Sequence, residues 1–477
     1  MEDGDNDRKR GFFMKKFTVK CFAIIAFILF ILPVTKVEAA VQLDERIYYI
    51  LVDRYVNGNS NNDFQINIED PEAYHGGDIA GIINELPKIK QKGFTAINLS
   101  PIMESTSFTG FDTMDHQSIN ENFGTMEELQ TLVEKAHEED LMVIMDFVLS
   151  QVDPDHPFAS EEQSNGLLDQ PLAGLEYSSD SINYIMDSIN FWVDQGVDGF
   201  HLYVNESTDP QLVQQIKETL ADKAIILDGV EYDGVSMNHA FHEEAVNLLK
   251  QPGQSLAPLL EDESVMDPEQ VNYMESVLTN RFTFETVREG YHPVTRWKLA
   301  TTLLYTLPGS SLFYQGLEVP MDNGKAEPDL RMAELNKADE EIIQHIEKLA
   351  SIRNVSPALT EGDFELVDQA GALTVFKRTA AEETMYIAIN NDTKTQVSSL
   401  EDIGSDMQLT GLLEDNIVRE HEDGTHRIVL ERESSNLFIV EQSTGMNWFF
   451  IALMIAVFGG FIAFIIAYNI KVKRQTK

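Results

Sequence analysis

Residues 196–207 read GVDGFHLYVNES. Val197–Leu202 is a short apolar run set between Gly196 and the polar Asn205-Glu206-Ser207, the pattern of a buried strand. Asp198-Gly199-Phe200 opens the run and Tyr203 ends it. In a β/α protein the chemistry sits at the C-terminal ends of the strands. His201 and Tyr203 are therefore the side chains whose identity matters most.

The chain around this run alternates strand and helix. Residues 47–52, IYYILV, predict a strand. Ile79–Gln91 places Ile79, Ile82, Ile83, Leu86 and Ile89 at helical spacing. Ala96–Ser100 predicts a strand that Pro101 stops. Met126–Glu139 predicts a helix, with Thr125 and Glu128 forming a capping box. Leu141–Val148 is an apolar strand interrupted only by Asp146, Ile185–Gln195 is helical, and Ala224–Val230 is a further strand. Pro308-Gly309 signals a turn. From about Pro357 the pattern changes to short alternating strands, at Leu373–Phe376, Met385–Ile389 and Arg427–Leu430, which predict an antiparallel β-sandwich module.

The length of 477 residues suits two or three domains. With 43% hydrophobic and 24% charged residues the composition is that of a globular protein with a real core. A formal net charge of −44 argues against nucleic-acid binding, because phosphate contacts need Lys and Arg. The single cysteine, Cys21, opens an apolar run to Val34. Lys15, Lys16 and Lys20 precede that run and Val37-Glu38-Ala39 follows it. This is the pattern of a signal peptide over 1–39, starting at Met1 or Met14 and cleaved after Ala39. The mature chain would carry no cysteine and so no disulfide.

At the other end, Trp448–Tyr468 is uncharged and long enough to span a bilayer. Lys471, Lys473, Arg474 and Lys477 follow it, which puts that end in the cytoplasm. The expected order is a stalk at 441–447, a transmembrane helix at 448–470 and a cytoplasmic tail at 471–477. The protein is thus expected at the cell membrane, single-pass, with its bulk outside, on a Gram-positive type of bacterial surface.

Asn57-Gly58-Asn59-Ser60-Asn61-Asn62-Asp63 is an Asn/Asp cluster. Such a cluster makes a turn, and its oxygens also suit Ca²⁺.

These segments together resemble the α-amylase family, glycoside hydrolase family 13, in the family's own order and over roughly Glu45–Val440. The opening stretch is similar to the strand-4 motif G-x-D-G-F-R-x-D-x-x-K-H. Asp198, Gly199 and Phe200 match. The arginine is His201, the nucleophilic aspartate is Tyr203, and the closing Lys-His is Glu206-Ser207. On strand 5 the family's G-E-V reads Asp228-Gly229-Val230, which puts Gly229 at the general acid. Val277–Phe282, VLTNRF, is similar to F-x-x-N-H-D of strand 7, with Arg281 for the His and Phe282 for the third acid. In the strand-3 motif D-x-V-x-N-H, Asp146 and Val148 match, while Ser150 and Gln151 replace Asn and His. Thr109-Gly110-Phe111-Asp112 resembles G-Y-D, with Phe111 for a tyrosine that stacks on the sugar. Leu303–Glu318 resembles L-L-T-L-P-G-x-P-x-x-Y-Y-G-x-E.

The resemblance implies an α/β fold. A (β/α)8 TIM barrel would occupy 40–356 and a C-terminal antiparallel β-sandwich domain 357–440. The strand-3 insert, Val152–Ser181, would be shortened to a long loop. The resemblance further implies sugar contacts from His75, Phe111, Asp146 and His201. Tyr74-His75-Gly76-Gly77-Asp78 is similar to the family's H-G-G-D segment, which completes a calcium site. Its ligands here would be Asn57, Asn59, Asn62, Asp63, Gly76 through its carbonyl, and Asp78.

A retaining glycosidase needs two carboxylates about 5 Å apart. All three acidic positions are replaced, by Tyr203, Gly229 and Phe282. Glu231 and Glu206 are the possible stand-ins, and tyrosine does serve some glycosidases as nucleophile. Side chains alternate along a strand, so Asp228 is expected to point away from the Gly229 direction. The expectation is an extracellular, membrane-anchored protein of carbohydrate metabolism that is catalytically degenerate. It would bind an α-glucan or maltooligosaccharide, or a membrane-protein partner, as the amylase-like heavy chain of amino-acid transporters does. The alternative is an active hydrolase or transglycosylase with a rewired site.

Overall fold

The computed structural model describes residues 44–165, 171–230, 232–263, 266–322, 330–443 and 448–475. The signal segment, residues 444–447 of the expected stalk and Glu231 lie outside the described residues.

Eight parallel strands close into a barrel: β1 (Arg46–Ile50), β2 (Ala96–Leu99), β3 (Met142–Val148), β4 (Gly199–Tyr203), β5 (Ala224–Asp228), β6 (Ser236–Met237), β7 (Gln270–Tyr273) and β8 (Ser310–Tyr314). β8 returns to pair with β1. Along each strand the side chains alternate in direction. Ile47, Tyr49, Ile144, Ile226, Val271 and Leu312 fill the lumen. Tyr48, Ile97, Val143, Phe200, Leu227 and Phe313 belong to the outer core, against the helices. With both faces buried, the strands read as continuous apolar runs. The surrounding helices include α1 (Ile79–Gln91), α2 (Met126–Glu138), α3 (Ser179–Asp194), α4 (Pro210–Thr219), α5 (His239–Leu249), α6 (Pro293–Thr306) and α7 (Glu340–Arg353).

The Asp-Gly-Phe of β4 is explained by packing. The Asp198 carboxylate accepts the Val143 amide at 2.8 Å and meets His137 Nε2 at 2.7 Å, which ties β4 to β3 and α2. A Cβ on Gly199 would stand 2.3 Å from the Ala224 carbonyl oxygen of β5. The Phe200 ring packs edge-on against Phe147, centroids 6.1 Å apart. None of these contacts needs a catalytic group, so the fold signature can persist without one.

Three expectations are corrected. The insert at Val152–Ser181 is not a long loop: Pro171–Leu175 is the central strand of a small antiparallel sheet with Gln151–Val152 and Ala159–Asn165. β7 lies ahead of Val277–Phe282, and Phe282 instead opens a short helix, Phe282–Arg288, buried with its ring 5.0 Å from Trp297. β5 stops at Asp228, because Gly229 turns the chain with φ +127°.

The C-terminal domain has eight strands: β9 (Asp363–Ala370), β10 (Leu373–Ala380), β11 (Glu383–Asn390), β12 (Gln396–Leu400), β13 (Met407–Gly411), β14 (Ile417–Arg419), β15 (His426–Leu430) and β16 (Ser434–Gln442). They form a six-stranded sheet in the order β9-β10-β11-β16-β13-β14 and a two-stranded sheet β12-β15. Leu373, Val375, Ala388, Leu409, Ile428 and Phe438 make the core of the module. It docks on α6, where Arg296 pairs with Glu433 at 2.9 Å and the Thr302 and Ser435 hydroxyls meet at 2.8 Å. The last helix, α8 (Trp448–Gln475), contains Ile451–Tyr468, long and apolar enough to cross a membrane, with a mean hydropathy of 2.5.

Candidate functional site

The C-terminal ends of β1 to β5 and β7 bring one polar cluster to the top of the lumen. Asp146, from β3, is completely buried. It accepts the Tyr49 hydroxyl at 2.6 Å and the Asn98 amide at 2.6 Å. His201 stands between two carboxylates, with Nδ1 3.1 Å from Asp146 and Nε2 3.4 Å from Asp228. Neither ring nitrogen meets the geometry of a hydrogen bond, so these are ion-pair contacts. Asp228 also meets His239 Nε2 at 3.0 Å, and His239 Nδ1 lies 2.7 Å from the Tyr273 hydroxyl. The chain Asp146–His201–Asp228–His239–Tyr273 thus runs from the closed lumen to a half-exposed imidazole.

Burial alone would lower the His201 pKa, but the charges of Asp146 and Asp228 outweigh it and hold His201 at about 9. Burial pushes the Asp228 carboxyl up, and contact with His201 and His239 overrides this, leaving it well below the usual carboxylate range. Contact with Asp228 raises His239. At neutral pH the His201 imidazolium therefore faces the Asp228 carboxylate. Asp228 is not poised to hand over a proton.

Tyr203 is where the resemblance puts the nucleophile. It is 6% exposed, its ring lies 4.6 Å from His201, and Phe111 meets it edge-on at 4.9 Å. Burial, and then the nearby Asp146 charge, push its phenol well above the ordinary value of 10.0. A neutral phenol in that setting is a poor nucleophile. Phe111 is itself buried, in T-shaped contact with Tyr203, and offers no open sugar platform.

Gly229 cannot simply receive an acid, because a Cβ there would fall 1.9 Å from the Val204 carbonyl oxygen. Of the proposed stand-ins, Glu206 is exposed beyond the end of β4 and Glu231 lies outside the described residues. Asp228 corrects the strand-parity expectation: it faces the lumen, in register with Tyr203. Leu278, between the end of β7 and Phe282, is 44% exposed. Arg281 pairs with buried Glu275 at 2.8 Å and stacks 3.8 Å over the Tyr314 ring. His75 does not join the cluster, since its Nε2 bonds the Asp70 carbonyl at 3.0 Å. His239 and Glu275 were not singled out in the sequence. They lie outside the matched motifs, and only the closed barrel brings them to the mouth.

The expected calcium ligands assemble in part. Asn57 Nδ2 donates to Asp63 Oδ1 at 2.8 Å, and a Cβ on Gly76 would lie 2.7 and 3.2 Å from those two atoms. Asn62 Oδ1 is buried without a partner. Asn59 Oδ1 instead accepts the Asn61 amide at 3.2 Å, and Asp78 caps α1 while accepting the Gly58, Asn59 and Gly81 amides. Asp63 Oδ1 and the unpartnered Asn62 Oδ1 remain as oxygen donors of the type a hard cation takes, with Asn57 and Gly76 beside Asp63.

A closed β/α barrel with an antiparallel C-terminal module and this strand-4 signature defines an amylase-type scaffold. The family model described as "Alpha amylase, catalytic domain" matches residues 49–171, and "Alpha-amylase C-terminal domain" matches 362–438. The crystal structure of an Anoxybacillus α-amylase is 30% identical, with a TM-score of 0.78, covering 85% of this chain and 99% of that one. The α-amylase of Geobacillus thermoleovorans, solved with acarbose, is 29% identical with a TM-score of 0.75, over 84% and 99% of the two chains. A cyclomaltodextrinase of Thermoanaerobacter pseudethanolicus is 26% identical over 76% of this chain and 72% of its own length. The chain belongs to the α-amylase family of glycoside hydrolases.

Proposed function

We propose that this chain is a membrane-anchored α-amylase-family protein whose barrel mouth engages α-glucan without cleaving it. One observation carries the reading. The attacking position holds Tyr203, buried against Phe111 and His201, and the two nearest carboxylates are both engaged by His201. An oxocarbenium-like transition state needs a nucleophile on one side and a proton donor on the other. An imidazolium bridging both acids supplies neither. Solved relatives hold acarbose and maltotriose, which supports a glucan as the ligand class. The test is paired: isothermal titration of the full chain in detergent with maltoheptaose, and reducing-end release from the same sugar. Binding without release supports the proposal, and the absence of binding sinks it.

A second reading is hydrolysis through a rewired site. The names of the relatives, a cyclomaltodextrinase and two α-amylases, favour it. So does the register of Asp228 beside Tyr203. It requires that Asp228→Asn abolish a measurable rate.

We also propose that Ca²⁺ binds at Asn57, Asn62, Asp63 and Gly76. The support is the unpartnered Asn62 Oδ1 and the Asp63 carboxylate beside Asn57.

A further inference from the structure

The tether leaves the molecule on the side opposite the mouth. β16 runs antiparallel to β11, with Ser434 beside Asn390 and Ile439 beside Met385. Its last residue, Gln442, therefore lies past the Glu383 end of β11, and the next amide, Ser443, donates to the Asp406 carbonyl at 2.8 Å. That end is fixed to the barrel floor. The Ser356 hydroxyl donates to Glu383, and Ser356 follows the C-terminus of α7. Arg353, the last residue of α7, donates to the Tyr305 carbonyl near the end of α6 at 3.0 Å and pairs with Asp44, just before β1. Arg46, the first residue of β1, donates to the Gly309 carbonyl just before β8 at 2.9 Å. Helices end and strands begin at the floor of a β/α barrel. His201, Tyr203, Asp228 and Tyr273 sit at the other ends of their strands.

We infer that the mouth faces away from the lipid surface and takes its ligand from the aqueous side. The inference rests on α8 being a membrane anchor, and it holds whether or not the site hydrolyses. The six Cα steps from Gln442 to Trp448 span at most about 21 Å at ~3.5 Å each. The sixteen residues of α3, which run from mouth to floor, measure about 24 Å at 1.5 Å per residue. A stalk that short, starting on the floor side, cannot carry the mouth round to the bilayer. Glu382, Asp406 and Glu441 are exposed around the exit point. Anionic lipid repels them and favours the same upright posture. A ligand reaching the Asp228–His239 pair thus arrives from the aqueous side. The transmembrane face of a neighbouring protein cannot reach it.

The test uses the mature chain with its anchor, beginning at residue 40, in vesicles carrying a headgroup acceptor dye. Single cysteines are placed at the exposed rim by Glu206→Cys and at the exposed floor by Glu361→Cys, and each is labelled with a donor. Energy transfer several-fold higher from position 361 than from 206 is expected. Equal transfer, or the reverse order, in protein that floats with the vesicles overturns the orientation. Protein that fails to float overturns the anchor itself, and a glucan titration on the same sample shows separately whether the binding reading survives.

Discussion

His201 is where the energetics concentrate. Removing one partner from a buried ionic group costs about 3–5 kcal/mol, because the remaining charges stay buried and uncompensated. His201→Leu leaves Asp146 and Asp228 in that state, so a loss of that size in chemical denaturation is expected. His201 is held at about 9, above its ordinary 6.5, so its stabilising contribution is complete below pH 6.5, declines above it and is gone past about 9. Asp228 is held below 3.8, so its contribution is present above that pH and lost as the pH falls through its lowered value. Melting temperature should therefore be highest between pH 3.8 and 6.5 and fall on the alkaline side, and the alkaline fall should be weaker in His201→Gln. Gly229 is the second decisive residue. Its φ of +127° and the 1.9 Å approach of the Val204 carbonyl leave no room for a side chain. Gly229→Glu is expected to cost upwards of ~2 kcal/mol and to bring no hydrolysis. Full stability in that variant, measured by urea unfolding, would show that this turn relaxes freely.

The elements divide by how strongly their sequence marks them. α1 has the expected boundaries, Ile79–Gln91, because its apolar stripe is regular and Asp78 caps it. α2 keeps the Thr125–Glu128 capping box seen in the sequence. Thr125→Ala is expected to cost ~1 kcal/mol, read as a small fall in melting temperature with no change in ligand binding. The insert sheet was less legible: Gln151–Val152 is two residues long, and the pairing of Ala159–Asn165 shifts register, so no alternation marks it. β7 was misplaced because VLTNRF carries the Asn of the family motif, whereas the strand itself, Gln270–Tyr273, lies ahead of it. The lumen-facing role of Asp228 was missed for a different reason. Extending β5 to Val230 treats Gly229 as a strand residue, although its backbone has already turned. The Asn/Asp loop makes its own prediction: chelation should lower the melting temperature and added Ca²⁺ should restore it, with Asp63→Asn abolishing the difference. An equal response in Asp63→Asn would place the ion elsewhere.

At the scale of the whole molecule, the proposed function separates fold from chemistry. The residues that close the barrel, Asp198, Gly199 and Phe200, are held by packing and backbone contacts and read clearly in the sequence. The space above β3, β4 and β5 is occupied by Phe111, Tyr203 and an ion-paired histidine, which is what the non-cleaving proposal rests on. Truncation before residue 444 should move the protein from the membrane fraction to the soluble one, and persistence in the membrane would remove α8 as the anchor. The most direct measurement is reducing-end release from maltoheptaose by the full chain in detergent, run beside Tyr203→Phe and Asp228→Asn. The expected result is no release above the protein-free rate in any of the three. A turnover in the wild type that either substitution abolishes would show that this barrel still cuts its sugar.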